Sequence, residues 1–265
     1  MSQQVEVLFE NLWQDYLSRT PSAKKVHQIL GEGHPIVNDH VAFRTFDISP
    51  VGLEVLAQHF LDLGYKEGGD YHFEAKKLRA KHFEHEDPEL PKVFISELMT
   101  AEFSDELQSK VKEMVAQISA EDTKKPDFLY SGTHWKVSYA DYQSLLEESE
   151  YAAWMAAFGY CANHFTVSVN QLPGYKTLEQ VNQKLKDNGF KLNTSGGEIK
   201  GSPEVYLEQS STMADRHPVE FSDKTVEIPS CFYEFAKRYE IEDGKLYTGF
   251  VAASADKIFE STNAK

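Results

Sequence analysis

The sequence predicts an α+β fold in which two βαβββ modules pair to share one core. Three observations carry this expectation. LEVLAQHFLDLGYK (53–66) and LEQVNQKLKDNGFK (178–191) align without gaps at an offset of 125, with six identities in fourteen positions. A β-type run precedes each of these helical segments, DHVAFRTF (39–46) and NHFTVSVN (163–170), at an offset of 124. Several strand candidates follow each helix. Neither copy alone covers both faces of a sheet, so pairing the copies is the natural route to a common core. The expected organisation is a single domain over residues 1–265. It comprises N-terminal helices (1–34), a first module (35–119), a helical connector (120–160), and a second module with a C-terminal tail (161–265).

In chain order, Val5, Leu8, Phe9, Leu12, Trp13 and Tyr16 recur at three- and four-residue spacings and predict an amphipathic helix. A second, short helix follows Pro21 and ends near Gly31-Glu32-Gly33. In the run at 35–46, period-2 alternation puts His40, Ala42, Arg44 and Phe46 on one face. Ser49-Pro50 is expected to supply an N-cap and a first-turn proline to a helix ending at Gly64. Strands are expected near 70–74, 77–84 and 92–98. A helix over Ser104 to about Ile118 carries Asp105 and Glu106 in its first turn, where the macrodipole favours acids. The polar stretch 120–137 reads as a connector, followed by short helices at 139–149 and 151–158. Thr177 and Gln180 form a capping box at the start of the helix running to Gly189. Strands are expected near 190–193, 204–211, 218–222 and 231–239, and a last helical turn at 257–262.

Composition excludes several classes of function. The 27 basic and 42 acidic residues give a net charge of −15, which argues against nucleic acid and anionic membranes as partners. Two cysteines, Cys161 and Cys231, rule out a disulfide scaffold and a cysteine-ligated zinc site, and their spacing from the ligand candidates reads as core thiols. The uncharged stretch Tyr151 to Tyr175 is apolar for only about a dozen residues, short of the roughly 20 a membrane span needs. An acidic start without a basic n-region leads to the expectation of a cytoplasmic protein. No phosphate loop and no GxSxG motif appears.

His40 and His164 hold the same slot in the two copies, each after Asp or Asn and each opening a β-run. Paired copies would turn both imidazoles into one cavity. A strand-borne carboxylate would complete a metal site. Glu234 in PSCFYEFAKRY fits best, because a glutamate inside an aromatic β-run needs a cation or a metal to be buried. An ion pair with Arg44 or Arg238 is its structural alternative. Glu97 in VFISEL and Glu220 in HPVEF are alternative carboxylates, and His217 is a rival imidazole. Glu97 as a fourth ligand would make a His2Glu2 site. Two imidazoles and one carboxylate leave a face of three positions open, as non-haem Fe(II) uses, and the same donors suit Zn(II), Mn(II), Co(II) or Ni(II). Arg44 lies four residues beyond His40 on the same strand face, about 13 Å along. Its guanidinium suits a carboxylate, which suggests an acidic small-molecule substrate. His82 and His85 read as a solvated strand end, and His134 lies in the connector.

With these residues in view, NDHVAFRTF, the NHFTVSV strand, IPSCFYEFAKRY and ADKIFEST resemble the 2-oxoadipate dioxygenase/decarboxylases, a family within the vicinal oxygen chelate superfamily. The resemblance spans most of the chain and implies a half-open, mixed β-barrel. It implies that His40, His164 and Glu234 hold Fe(II), and that Arg44 contacts a substrate carboxylate. It also implies that backbone near Phe250 and Val251, within Phe250–Ser254, touches substrate. The reaction it implies uses O2 to turn 2-oxoadipate into D-2-hydroxyglutarate in lysine breakdown. The chain is shorter than the characterised members, so the pocket wall opposite the metal is where it should depart from them. Two other classes remain open on the residues alone. One is an oxygen-independent metal-dependent lyase, isomerase or hydrolase that recruits Glu97; the other is a non-catalytic binding protein of the same fold. Oligomeric state is not legible, since two copies in one chain already close the cavity.

Overall fold

Residues 38–46 lie at the centre of the structure, a computed structural model that describes residues 2–262. Eight of the nine residues of this strand are buried, as expected of a strand covered on both faces. The helices are α1 (Ser2–Arg19), α2 (Ser22–Gly31), α3 (Leu53–Leu61), α4 (Asp105–Val115), α5 (Tyr139–Glu148), α6 (Glu150–Phe158), α7 (Leu178–Asp187) and α8 (Ala252–Ile258). The strands are β1 (Asn38–Phe46), β2 (Lys66–Phe73), β3 (Leu78–Glu84), β4 (Lys92–Leu98), β5 (Ala162–Ser168), β6 (Lys200–Ser202), β7 (Leu207–Ser211), β8 (Arg216–Glu220), β9 (Thr225–Pro229), β10 (Phe232–Arg238), β11 (Glu240–Glu242) and β12 (Lys245–Leu246).

Eight strands form one curled half-barrel sheet in the order β2-β3-β4-β1-β5-β10-β7-β6. Reading outward from the β1–β5 junction, the two halves match. β1 runs parallel to β4 and β5 parallel to β10, while β1 and β5 meet antiparallel. Each half therefore repeats strand, helix and three strands, with β8–β9 inserted in the second as a separate hairpin.

The helices cover what the sheet leaves open. Val5, Leu8, Leu12 and Tyr16 of α1 are buried, and the Tyr16 hydroxyl donates to the Phe232 carbonyl. Residues 151–158 of α6 are buried all round, as an apolar helix must be. His27 of α2 stacks on Trp13 at 4.7 Å and shares a 2.6 Å hydrogen bond with the Tyr233 hydroxyl. Burial pushes its pKa down to about 4. The folded state thus keeps His27 neutral while the unfolded chain protonates near 6.5. The stability it contributes is present above pH 6.5 and is lost as the pH falls towards 4. Urea titrations across that window should show the loss, and His27→Gln should flatten it.

Several elements differ from the expectation. Ser49-Pro50 does not cap α3, which begins at Leu53 after Gly52. The glycine has no side chain to offer, and the Glu97 carboxylate on β4 accepts from the Leu53 N–H at 2.8 Å instead. Residues 190–193 make only an isolated bridge, Leu192 to Thr212. The strand expected at 204–211 begins at Leu207, after a 3-10 turn and Tyr206 at φ 63°. The strand expected at 218–222 is β8, which pairs with β9 outside the main sheet. The terminal turn at 257–262 is the end of α8 and a 3-10 turn over Phe259–Thr262. Helix α8 is only seven residues long and is held by what it packs against.

Candidate metal centre

Strand register alone assembles the ligand candidates. Across the sheet, His40 of β1 and Glu234 of β10 both pair with Thr166 of β5, while His164 lies two residues from Thr166. Residues opposite one another, and residues two apart, share a face. All three side chains therefore project from the same side of three adjacent strands. His164 Nε2 lies 3.1 Å from Glu234 Oε2, and His40 Nε2 lies 3.7 Å from Glu234 Oε1. One donor atom from each of the three lies within 4.8 Å of the others, and all three residues are buried. This is the sole such group of His, Cys, Asp and Glu among the described residues.

The imidazoles are oriented from behind. His40 Nδ1 is 2.8 Å from Asp39 Oδ1, and His164 Nδ1 is 2.9 Å from Asn163 Oδ1. Each preceding side-chain oxygen can thus accept from Nδ1–H and leave Nε2 facing the carboxylate, the arrangement that metal-binding histidines use. Gln209 Nε2 donates to Glu234 Oε1 at 2.6 Å. Thr166 Oγ1 lies 3.0 Å from His40 Nε2. Burial would raise the Glu234 pKa, but the His40 charge and hydrogen bonds from both histidines outweigh it and hold it at about 2. Burial likewise opposes the charge on both imidazoles; beside Glu234 and Asp39, His40 is still pushed up, whereas His164 is pushed down. A buried carboxylate and two imidazoles whose donor atoms converge within 4.8 Å make the geometry of a cation site. The residues fit a divalent metal, because the N2O donors converge and each is held by a neighbour.

The triad faces a cavity of about 20 Å³ whose walls include Arg44, Phe94, Gln209, Phe250 and Phe259. Arg44 is 2% exposed. Its guanidinium lies 4.9 Å from the rings of both Tyr151 and Trp154 and 5.6 Å from that of Phe259. Its polar contacts are Glu150 Oε1 at 3.3 Å and Thr262 Oγ1 at 3.1 Å, while the buried Nε has no partner. This cation is incompletely compensated and lies in the wall of the same cavity as the triad. Phe250 lines the cavity with its ring set edge-on to His40 at 4.8 Å. Val251 is not among the cavity walls, and its carbonyl accepts from the Ser254 and Ala255 N–H groups of α8.

The other candidates lie elsewhere. Glu97 is committed to the start of α3 and to an ion pair with Arg79, so the four-ligand set does not assemble. Glu97→Ala should cost about 1–2 kcal/mol in urea unfolding, chiefly through the lost cap, and leave metal affinity unchanged. Glu220 and His217 stand on β8, outside the barrel sheet, where Glu220 is exposed. His82 is buried rather than solvated: its Nδ1 is 2.8 Å from the Tyr71 hydroxyl and its Nε2 2.8 Å from Glu84 Oε1. His134 lines an outer groove, and Cys161 and Cys231 are buried free thiols. Neither Arg44 nor Arg238 pairs with Glu234; Arg238 binds Asp39. The sequence reading missed Asp39, Asn163 and Gln209 as orienting groups. The repeated Asp/Asn-His dipeptide was the available signal for the first two.

Comparison with known proteins gives the fold and the family. A solved structure from Ralstonia eutropha, provisionally named a glyoxalase superfamily protein, shares the fold at a TM-score of 0.79 and 23% identity, covering 94% of this chain and 86% of that one. A Shewanella frigidimarina protein provisionally named a hydrolase is 62% identical at a TM-score of 0.91, over 94% of this chain and 98% of that one. The rice hydroxyglutarate synthase, solved in complex with 2-oxoadipate, is 37% identical at a TM-score of 0.89, over 97% of this chain and 91% of that one. The expectation of a shortened chain therefore holds against some members and not others: the match covers 59% of the Pseudomonas putida hydroxyglutarate synthase chain but 91% of the rice one. The curated rice 2-oxoadipate dioxygenase/decarboxylase, named as chloroplastic/amyloplastic, is 37% identical over 284 residues, 97% of this chain and 78% of the relative. Among the described residues no helix is long and apolar enough to cross a membrane. A family match over residues 8–245 takes in both histidines, the glutamate and the arginine of the cavity, and the chain belongs to the 2-oxoadipate dioxygenase/decarboxylase family.

Proposed function

We propose that this chain is an Fe(II)-dependent dioxygenase that decarboxylates and hydroxylates a 2-oxo dicarboxylic acid, with 2-oxoadipate as substrate and 2-hydroxyglutarate as product. The observation that carries the reading is the placement of Arg44, a buried and under-partnered guanidinium, in the wall of the cavity that holds the His40–His164–Glu234 triad. Bound Fe(II) would supply Lewis acidity for the 2-oxo acid head and electrons for the reaction with O2. The chain supplies the rest. Asp39 and Asn163 hold the imidazoles so that both Nε2 atoms face inward. Gln209 holds Glu234 Oε1, which leaves Oε2 beside His164. Arg44 takes the carboxylate remote from the metal and fixes the distance between the two ends of the substrate. The aromatic rings of Phe94, Phe250 and Phe259 exclude water from the reacting carbon.

The roles of Arg44 and of the Phe250–Val251 backbone in holding substrate belong to this proposal. Of these two backbone residues, Phe250 is the better placed. The oxygen-independent alternative loses its fourth ligand with Glu97, and family membership supports an enzyme over a binding protein. Anaerobic Fe(II) loading followed by an oxygen-uptake screen over 2-oxo acids tests the reading. Uptake matched by CO2 release with 2-oxoadipate, and at least tenfold weaker uptake with 2-oxohexanoate, is the expected result. Absence of uptake with every 2-oxo acid would overturn it.

A further inference from the structure

Arg238, at the end of β10, is 4% exposed and ties together two parts of the cavity. Its Nε and Nη2 donate to the two oxygens of Asp39 at 2.7 and 2.9 Å. Its Nη1 donates to the carbonyls of Tyr247 and Gly249 at 3.1 and 2.7 Å. The first pair of bonds leads to the metal ligand, since Asp39 also holds His40 Nδ1. The second pair holds residues 247–251, the strap between β12 and α8. Phe250, next in the strap, lies 5.1 Å from the guanidinium and sets its edge against the His40 ring. The strap is fastened on its far side by the Tyr71 hydroxyl, which accepts from the Phe250 N–H at 3.0 Å. Asn170 clamps the Arg238 backbone through two bonds of 2.8 Å, so the guanidinium is presented from a fixed base.

A cavity of about 20 Å³ has room for a water-sized group and not for a six-carbon diacid. Phe250 puts the strap in the wall of that cavity, and a strap that moves away from Arg238 to widen it gives up the two carbonyl bonds. We propose that Arg238 is a positioning residue that couples the strap over residues 247–250 to the metal ligand His40, so that a metal in the triad and closure of the strap stabilise each other. The proposal rests on the metal-site reading above. A planar guanidinium addresses a carboxylate with one edge and two carbonyls with another; an ammonium, a single nitrogen, does not reproduce those two edges. Coupling between two such states is reciprocal: whatever closure adds to metal affinity, metal adds to closure.

Hydrogen–deuterium exchange of the full chain with and without Zn(II) tests this directly. Zn(II) is a redox-inert probe for the same donors. In the wild type, saturating Zn(II) should slow exchange of the strap amides by about fivefold or more. In Arg238→Lys the ammonium still reaches Asp39 but not the strap carbonyls. Zn(II) affinity should then stay within about threefold of wild type, while the Zn(II)-dependent protection disappears and KM for the 2-oxo acid rises more than kcat falls. Arg238→Met releases Asp39 as well, and Zn(II) affinity should fall by about 10–100-fold with an altered visible spectrum of the Co(II) form. Should the methionine variant not fold, the wild-type and lysine measurements still decide. Zn(II) binding without strap protection in the wild type, or full protection in Arg238→Lys, would overturn the coupling and leave the metal site standing. No Zn(II) binding by the wild type would overturn the metal reading and the coupling with it.

Discussion

Glu234→Ala should abolish stoichiometric metal binding and reduce oxygen uptake to background, and His40→Ala should do the same. Removing a group that merely orients a ligand costs about 10–100-fold in affinity, so removing a ligand from a three-ligand face should cost more than about 100-fold. Isothermal titration with Co(II), alongside circular dichroism to show that the sheet persists, measures this. Glu234→Gln is the sharper variant, because it keeps the volume of a residue that is 1% exposed and packed between two imidazoles. It removes the charge on which the cation depends. An unchanged metal-to-protein ratio in Glu234→Ala would show that the ion is held somewhere else.

The second large effect is expected at Arg44. Arg44→Met should lower kcat/KM for 2-oxoadipate by about 100-fold or more, the scale of a lost charge-assisted contact in a desolvated site. Arg44→Lys keeps the charge but loses the fork, and KM should rise by about tenfold while metal affinity stays within about threefold. The preference for a 2-oxo diacid over a 2-oxo monoacid should collapse in the methionine variant, which is what distinguishes a substrate anchor from a structural cation. Stability points the same way. Arg44 is buried among Tyr151, Trp154 and Phe259 with one ion-pair contact of 3.3 Å, to a half-buried Glu150. Arg44→Met leaves Glu150 without its partner, but that acid is half-buried and can be hydrated, so the variant should melt within about a few degrees of the wild type. A marked fall in melting temperature with unchanged kinetics would assign Arg44 to the fold and remove it from the site.

Much of the site was legible because strands write their geometry locally. Period-2 alternation put His40 and Arg44 on one face and identified Glu234 as a carboxylate that had to be buried. The repeat then made the second histidine more than a coincidence. The same rule failed where a partner came from a distant segment. His82 looked like a solvated strand end, yet Tyr71 and the C-terminal strap cover it. Glu97 looked like a ligand, and the absence of a capping side chain at Gly52 claims it for α3. Only the end of helix α8 was anticipated, as a terminal turn, because seven residues cannot form a stable helix alone.

What the sequence by itself determined is the set of facing side chains within each ligand-bearing strand, the order of elements in the first repeat and the chemical type of the cavity, because these follow from alternation, capping and charge between near neighbours. Only the tertiary structure decided which groups orient the triad, which acid serves a helix instead of a metal, and which segment closes the cavity. Asp39 and Arg238 are 199 positions apart in the chain. Contacts across such distances depend on how strands from two repeats are placed in one sheet, and no local pattern encodes that pairing.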